Sequence, residues 1–136
     1  MFTLDNRLES DSAYVCDLTL CQVRLMNDKH YPWIILIPKV GGIREIYELS
    51  LSDQQQLMKE SSKVSRILSE YTNADKMNVA ALGNLVPQLH IHHIARFESD
   101  VAWPGPVWGV VNAEPYSQTA LSDRVGALAE LLSGSM

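Results

Sequence analysis

A chain of 136 residues, 46% hydrophobic and 20% charged, has the balance of one ordinary globular domain spanning 1–136, and three tryptophans with five tyrosines argue against disorder. The formal charge of −5 argues against a nucleic-acid partner, which needs clustered Lys and Arg, but leaves room for a small phosphorylated ligand held by backbone N–H groups. The longest apolar run, 33–37, is far too short for a bilayer and the first 14 residues lack a leader's apolar stretch, so the expected location is the cytoplasm, with no membrane partner. In that compartment Cys16 and Cys21, too few and wrongly spaced for a zinc ribbon, read as free thiols on early strands.

Residues 4–8 read as a brief lead-in, followed by short strands over 14–18 and 21–26 with a turn between them. The run Trp33-Ile34-Ile35-Leu36-Ile37, closed by Pro38, has the continuous apolar character of a central strand covered on both faces. Gly41-Gly42 opens a loop, and Ile43, Ile46 and Leu49 are spaced for a short helical turn. Ser52-Asp53-Gln54-Gln55 has the form of a capping box, and beyond it Leu57, Ser61, Val64, Leu68 and Tyr71 recur every three or four residues, the mark of a long amphipathic helix. Asn73 and Asp75 end it. A strand over 76–82 then leads through Gly83-Asn84 to Pro87, and a second strand over 89–94 makes an antiparallel hairpin the simplest connection. The Pro- and Gly-rich segment 103–109 reads as a structured loop, with Trp103 and Trp108 either packing a closing helix over 120–132 or covering a ligand pocket. The expected fold is α+β: an antiparallel sheet of five to six strands with one long helix and a C-terminal helix.

Three of the four histidines fall at 90, 92 and 93. In a strand successive side chains point to opposite faces, so Gln88, His90, His92 and Ile94 share one face while Leu89, Ile91, His93 and Ala95 share the other. His93, alone among apolar neighbours, reads as a hydrogen-bonded core residue. His90 and His92 stand roughly 7 Å apart at Cβ, two strand rises, and can converge on one small group of ligand atoms. Two costly polar groups on one face beside a Gly-Asn turn are hard to place in a core.

The stretch from Gly83 to Arg96, GNLVPQLHIHHIAR, resembles the signature of the histidine triad (HIT) family, His-φ-His-φ-His-φ-φ with φ apolar. Asn27 followed by the strand to Pro38 and Lys39 is similar to the family's ribose-contacting acidic or amide residue and the apolar strand after it, and the long helix stands between them in the family's order. The resemblance covers roughly residues 13 to 110. It departs from the family at Gln88, which stands where the first triad histidine is usual, and at Leu85, where Ser or Thr is common.

The resemblance implies a hydrolase that cleaves at the α-phosphate of a nucleoside phosphoramidate or phosphoanhydride, with His90 as the nucleophile that forms a nucleotidyl-histidine. Gln88 would orient His90, partly through its main-chain carbonyl, and His92 would donate to a phosphate oxygen or the leaving group. Asn27 would bind ribose; Asn78 or Asn84 would serve the phosphate region, with the amides of Gly83, Asn84 and Leu85 holding the nonbridging oxygens, and Arg96, at a family-like position, would contact the nucleotide or stand as a solvated strand-end charge. Base contacts are expected from scattered apolar residues such as Leu4, Leu25 and Ile35. No cofactor or metal is implied; the partners are a small nucleotide and a second copy of the chain, joined through the 76–82 strand. Two other readings stand beside this one. The first is a nucleotide-binding regulator with little turnover, suggested by Gln88 and Leu85. The other is a metal site in which His90 and His92 act with Glu98.

Overall fold

The computed structural model describes residues 1–134. Its elements in chain order are α1 (Asn6–Asp11), β1 (Ser12–Asp17), β2 (Cys21–Met26), β3 (Trp33–Pro38), a short 3₁₀ turn (Ile46–Glu48), α2 (Leu51–Thr72), β4 (Lys76–Ala80), β5 (Ile91–Arg96) and α3 (Gln118–Gly134). The strands form one antiparallel sheet in the order β1-β2-β3-β5-β4, an α+β architecture as the sequence led us to expect.

β3 is central, and all six of its residues are buried because both faces of the sheet are covered there. On one face Leu57, Val64, Ile67 and Leu68 of α2 and Leu128 and Leu132 of α3 pack against Val23, Leu25, Ile34, Leu36, Ile91 and Ala95. On the other, Trp33, Ile35, Ile37 and Ile94 meet Leu8, Tyr31 and Val107, with Phe2, Leu4, Val86 and Trp108 packed around them. The covering is unlike on the two sides: two long helices seal the first, while short N-terminal and loop segments cover the second. Of the histidines in the signature, His90 and His92 lie on the less regular side.

α2 begins at a different serine from the one the capping pattern suggests. Ser50 is the N-cap, its hydroxyl accepting from the Asp53 N–H at 3.1 Å, so Ser52 already lies inside the helix. Asn73 closes α2 in the left-handed conformation, which an amide side chain tolerates. The buried Glu60 of α2 accepts the N–H groups of Leu20 and Cys21 at 2.8 and 2.9 Å, fastening the helix to the turn between β1 and β2. Residues 4–8, expected to be a lead-in, are partly helical: Asp5 caps α1 by accepting from the Arg7 N–H, and a six-residue helix is too short to show periodicity. β4 ends at Ala80, two residues earlier than expected, and residues 81–90 form an irregular turn that brings the chain back to β5.

Candidate active site

β5 places the side chains as strand parity requires. His92 pairs across the sheet with Ile35 and His93 with Ile34, so the two rings leave the strand on opposite faces. His93 goes into the helix-covered core, fully buried. Its Nδ1–H donates to the Ile91 carbonyl at 3.0 Å, and its Nε2 accepts from the Ser61 hydroxyl of α2 at 2.7 Å. Both nitrogens are committed, and burial pulls the pKa down to about 4. It is a core histidine, as its apolar neighbours suggested.

His90 and His92 lie together on the other face, ring centroids 4.9 Å apart and nearly perpendicular, each 5% exposed. A carbonyl oxygen only accepts, so the partners fix the tautomers. His90 Nδ1–H donates to the Gln88 carbonyl at 2.7 Å, which leaves Nε2 unprotonated in the neutral ring. No hydrogen bond among the described residues engages that nitrogen. His92 is tied at both ends: its Nε2–H donates to the Leu82 carbonyl at 2.9 Å and its Nδ1 accepts from the Trp33 indole N–H at 3.0 Å. Burial pulls its pKa down to about 4, against the opposing pull of the Leu82 carbonyl, so the ring is neutral near pH 7.

The expected turn residues surround His90. A Cβ on Gly83 would stand 2.6 Å from the Val86 carbonyl oxygen and 3.1 Å from His90 Cε1, so only glycine lets this turn close against the ring. Gly83, Asn84, Gln88 and His90, with Arg44 and Glu45, line a cavity of about 100 Å³. The Leu85 side chain is 86% exposed. On the far side of His92, Asn27, Asp28, Trp33, Val107 and Trp108 line a second cavity of about 340 Å³. Asn27 Oδ1 accepts from the Tyr116 N–H at 3.0 Å, which fixes its amide at the edge of that cavity.

Other expected residues lie elsewhere. Arg96 lines neither cavity of the cleft and is not a solvated strand end: it is 1% exposed, paired with Asp100 at 2.9 and 3.1 Å and bonded to the Gly105 carbonyl and to Asn78 Oδ1. Burial pushes the Asp100 carboxyl up, but hydrogen bonds from Arg96 and the Phe97 N–H outweigh it and hold the pKa at about 2. Asn78 serves Arg96 and is not gathered with the histidines. Leu25 packs on the helix-covered face, away from the site, whereas Leu4 and Ile35 are on the site face. Trp108 does not pack α3; its ring meets Trp33 at 5.8 Å and His92 at 5.1 Å. Trp103 lies against the Arg96 guanidinium instead. Among the described residues no group of three His, Cys, Asp or Glu side chains gathers to hold a metal ion, and the Glu98 N–H turns to Asp75.

Sequence reasoning missed Trp33 as the hydrogen-bond partner of His92. Parity offered a signal, since Trp33 and Ile35 share a face and Ile35 pairs with His92. It also missed Thr3, Asp5 and Arg7, which reach Gln88 and Leu85 from more than 75 positions away and leave no local trace.

The architecture and the paired imidazoles define a known class. A HIT-domain family model matches residues 7–99, and the chain belongs to the HIT family. It is similar to a histidine triad protein from Marinobacter aquaeolei VT8, with 51% identity over 98% of both chains and a TM-score of 0.95. A histidine triad protein from Sinorhizobium meliloti 1021 is 47% identical over 96% of both chains, with a TM-score of 0.92. One from Bradyrhizobium japonicum is 46% identical over 95% of this chain and 96% of that one, also with a TM-score of 0.92. No curated protein sequence matches the chain. Membership supports a nucleotide-binding function of the HIT type. No helix among the described residues is long and apolar enough to cross a membrane.

Proposed function

We propose that this protein is a nucleotide hydrolase in which His90 attacks the α-phosphorus of a nucleoside phosphoramidate or phosphoanhydride. One observation carries the reading: the 2.7 Å bond from His90 Nδ1–H to the Gln88 carbonyl, which in the neutral ring presents Nε2 as the unprotonated nitrogen at the last residue of the turn before β5, the strand beginning at Ile91 and not at 89 as expected. The Nε2 lone pair forms the N–P bond as the bond from phosphorus to the leaving group breaks. The leaving group departs with that electron pair and takes up a proton. Water then attacks phosphorus and gives up a proton to solvent, the P–N bond breaks, and the pair returns to Nε2, releasing a nucleoside monophosphate.

The carbonyl that orients His90 belongs to the main chain, so glutamine at position 88 serves as well as histidine for this purpose. His92 is a neutral neighbour whose Nε2–H is occupied by Leu82; it positions His90, and the leaving group draws its proton from solvent. Backbone amides of 83–85 hold the nonbridging oxygens, with Gly83 allowing the close approach. The nucleoside takes the larger cavity, with Asn27 toward the ribose and the indoles of Trp33 and Trp108 as walls. β4 is an edge strand with Val79 exposed, and in our reading it pairs with the same strand of a second copy to form a homodimer.

The test is single-turnover mixing with adenosine 5′-phosphoramidate, quenched without acid and followed by mass spectrometry. An adenylyl adduct on His90, with AMP released at the rate the adduct decays, is the expected result. Tight AMP binding with equal, negligible release by wild type and His90→Ala would favour a binding regulator.

A further inference from the structure

The N-terminal residues reach the His90 cleft through contacts that the chemistry above leaves unused. The Gln88 carboxamide accepts from the Asp5 N–H through Oε1 and donates from Nε2 to the Thr3 carbonyl, both at 2.9 Å. It grips the backbone on either side of Leu4 as the peptide group of a neighbouring strand would. Arg7 Nη1 donates to the Leu85 carbonyl at 2.8 Å, while its Nε and Nη2 hold the Asp5 carboxylate at 3.1 and 3.0 Å. Toward the other end, the Met1 backbone lies so close to Gly41 that a Cβ there would stand 2.5 Å from the Met1 carbonyl oxygen. Phe2 and Leu4 pack down on the site-face cluster with Val86 and Trp33. Residues 1–7 thus cross from the loop after β3 to the turn before β5, held midway by Gln88, and Gln88 itself lines the small cavity at His90.

We propose that residues 3–7 form a strap, latched by the Gln88 carboxamide, that restricts the leaving-group side of the His90 cleft to small groups such as a short amine. The proposal rests on the reading of His90 as nucleophile. Two arguments carry it. The cavity beside His90 is about 100 Å³ and Gln88, the residue that engages the strap, is one of its walls, so a latched strap holds that wall in place against a bulky group. The latch also needs an amide. A carboxamide sets an acceptor and a donor side by side, matching an N–H and a C=O on one edge of an extended segment, whereas the two nitrogens of an imidazole point apart. Residue 88 therefore does two separable things: any residue supplies the carbonyl for His90, and only an amide side chain closes the strap.

Amide exchange in the ligand-free protein reads the latch apart from catalysis. Gln88→Ala is expected to speed exchange at the Asp5 N–H by about tenfold, the order expected for one lost hydrogen bond. Selectivity is read from kcat/KM for two adenosine phosphoramidates, one with an ethylamine and one with a naphthylmethylamine leaving group. The preference for the small amine is expected to fall about tenfold in Gln88→Ala and in Gly41→Ala, which displaces Met1 without touching Gln88. Unchanged Asp5 exchange in Gln88→Ala overturns the latch. Faster exchange with an unchanged preference in both variants overturns the strap as a selector. If wild type cleaves neither compound, the reading of His90 fails instead; the ratio of their Kd values for wild type against Gln88→Ala then decides the size restriction, an unchanged ratio counting against it.

Discussion

His90 and Arg96 stand six residues apart on one short stretch, each almost fully buried, and their surroundings follow opposite rules. The Arg96 guanidinium makes four hydrogen bonds to Asp100, Asn78 and Gly105 and lies against Tyr31 and Trp103. Its charge is matched and four of its five N–H donors are engaged, so it joins β5 to β4 and to the following loop. His90 is held at Nδ1 alone, beside a turn that lacks a Cβ and a cavity lined by polar groups. A buried polar group whose bonds are complete is part of the framework; one anchored by half its bonds is set up for a visitor.

The contrast breaks most visibly at His90, the proposed nucleophile. His90→Ala is expected to cut single-turnover release of AMP by roughly 10⁴-fold or more, because the proposed reaction has no second group to attack phosphorus, while the denaturant midpoint stays near that of wild type. The opposite pattern is expected from Arg96→Ala. Leaving Asp100 buried and unpaired should cost about 3–5 kcal/mol in urea unfolding, with the folded fraction still binding AMP. An Arg96→Ala protein of wild-type stability but without AMP affinity would return Arg96 to the phosphate site.

Acid sharpens the comparison further. His92 and His93 have pKa values pulled down to about 4, so between about 4 and the ordinary histidine value of about 6.5 the unfolded chain binds protons that the folded chain does not. Stability therefore falls as pH drops through that window, by about 3 kcal/mol at most for each ring. Asp100 moves stability lower on the scale: its depressed pKa protects the fold above the ordinary carboxylate range, and that protection is lost as pH falls toward 2. Urea titrations of wild type and His93→Gln at pH 7, 5.5 and 4.5 check this, the variant being expected to show the shallower dependence. The smallest effect belongs to Ser61→Ala, which leaves His93 Nε2 without its donor and should cost about 1–3 kcal/mol in urea unfolding, with phosphoramidate cleavage unchanged.

How much could be read in advance follows the range of the interactions. β2 and β3 showed themselves because their apolar patterns are local, and α2 because its stripe repeats over many turns. Strand parity also separated His93 from His90 and His92 before any coordinates. What escaped depends on distant partners. Arg96 looks like a strand-end charge until Asp100 folds back on it, and Trp33 looks like core until the sheet pairs β3 with β5. Ser52 stands out because Gln55 completes a capping pattern with it, whereas the helix is capped by Ser50, two residues earlier. Gln88 could be seen as a departure from the family, but its side-chain role needs Thr3 and Asp5, more than 80 residues earlier in the chain.

The indole of Trp33 gives this fold an optical gauge of its own chemistry. Protonation of His92 would convert Nδ1 from acceptor to donor and set it head to head with the indole N–H, so the ring must swing away and its emission must change. Trp108, edge-on to both rings, would register the same event, so label-free fluorescence can follow the protonation of His92 in real time.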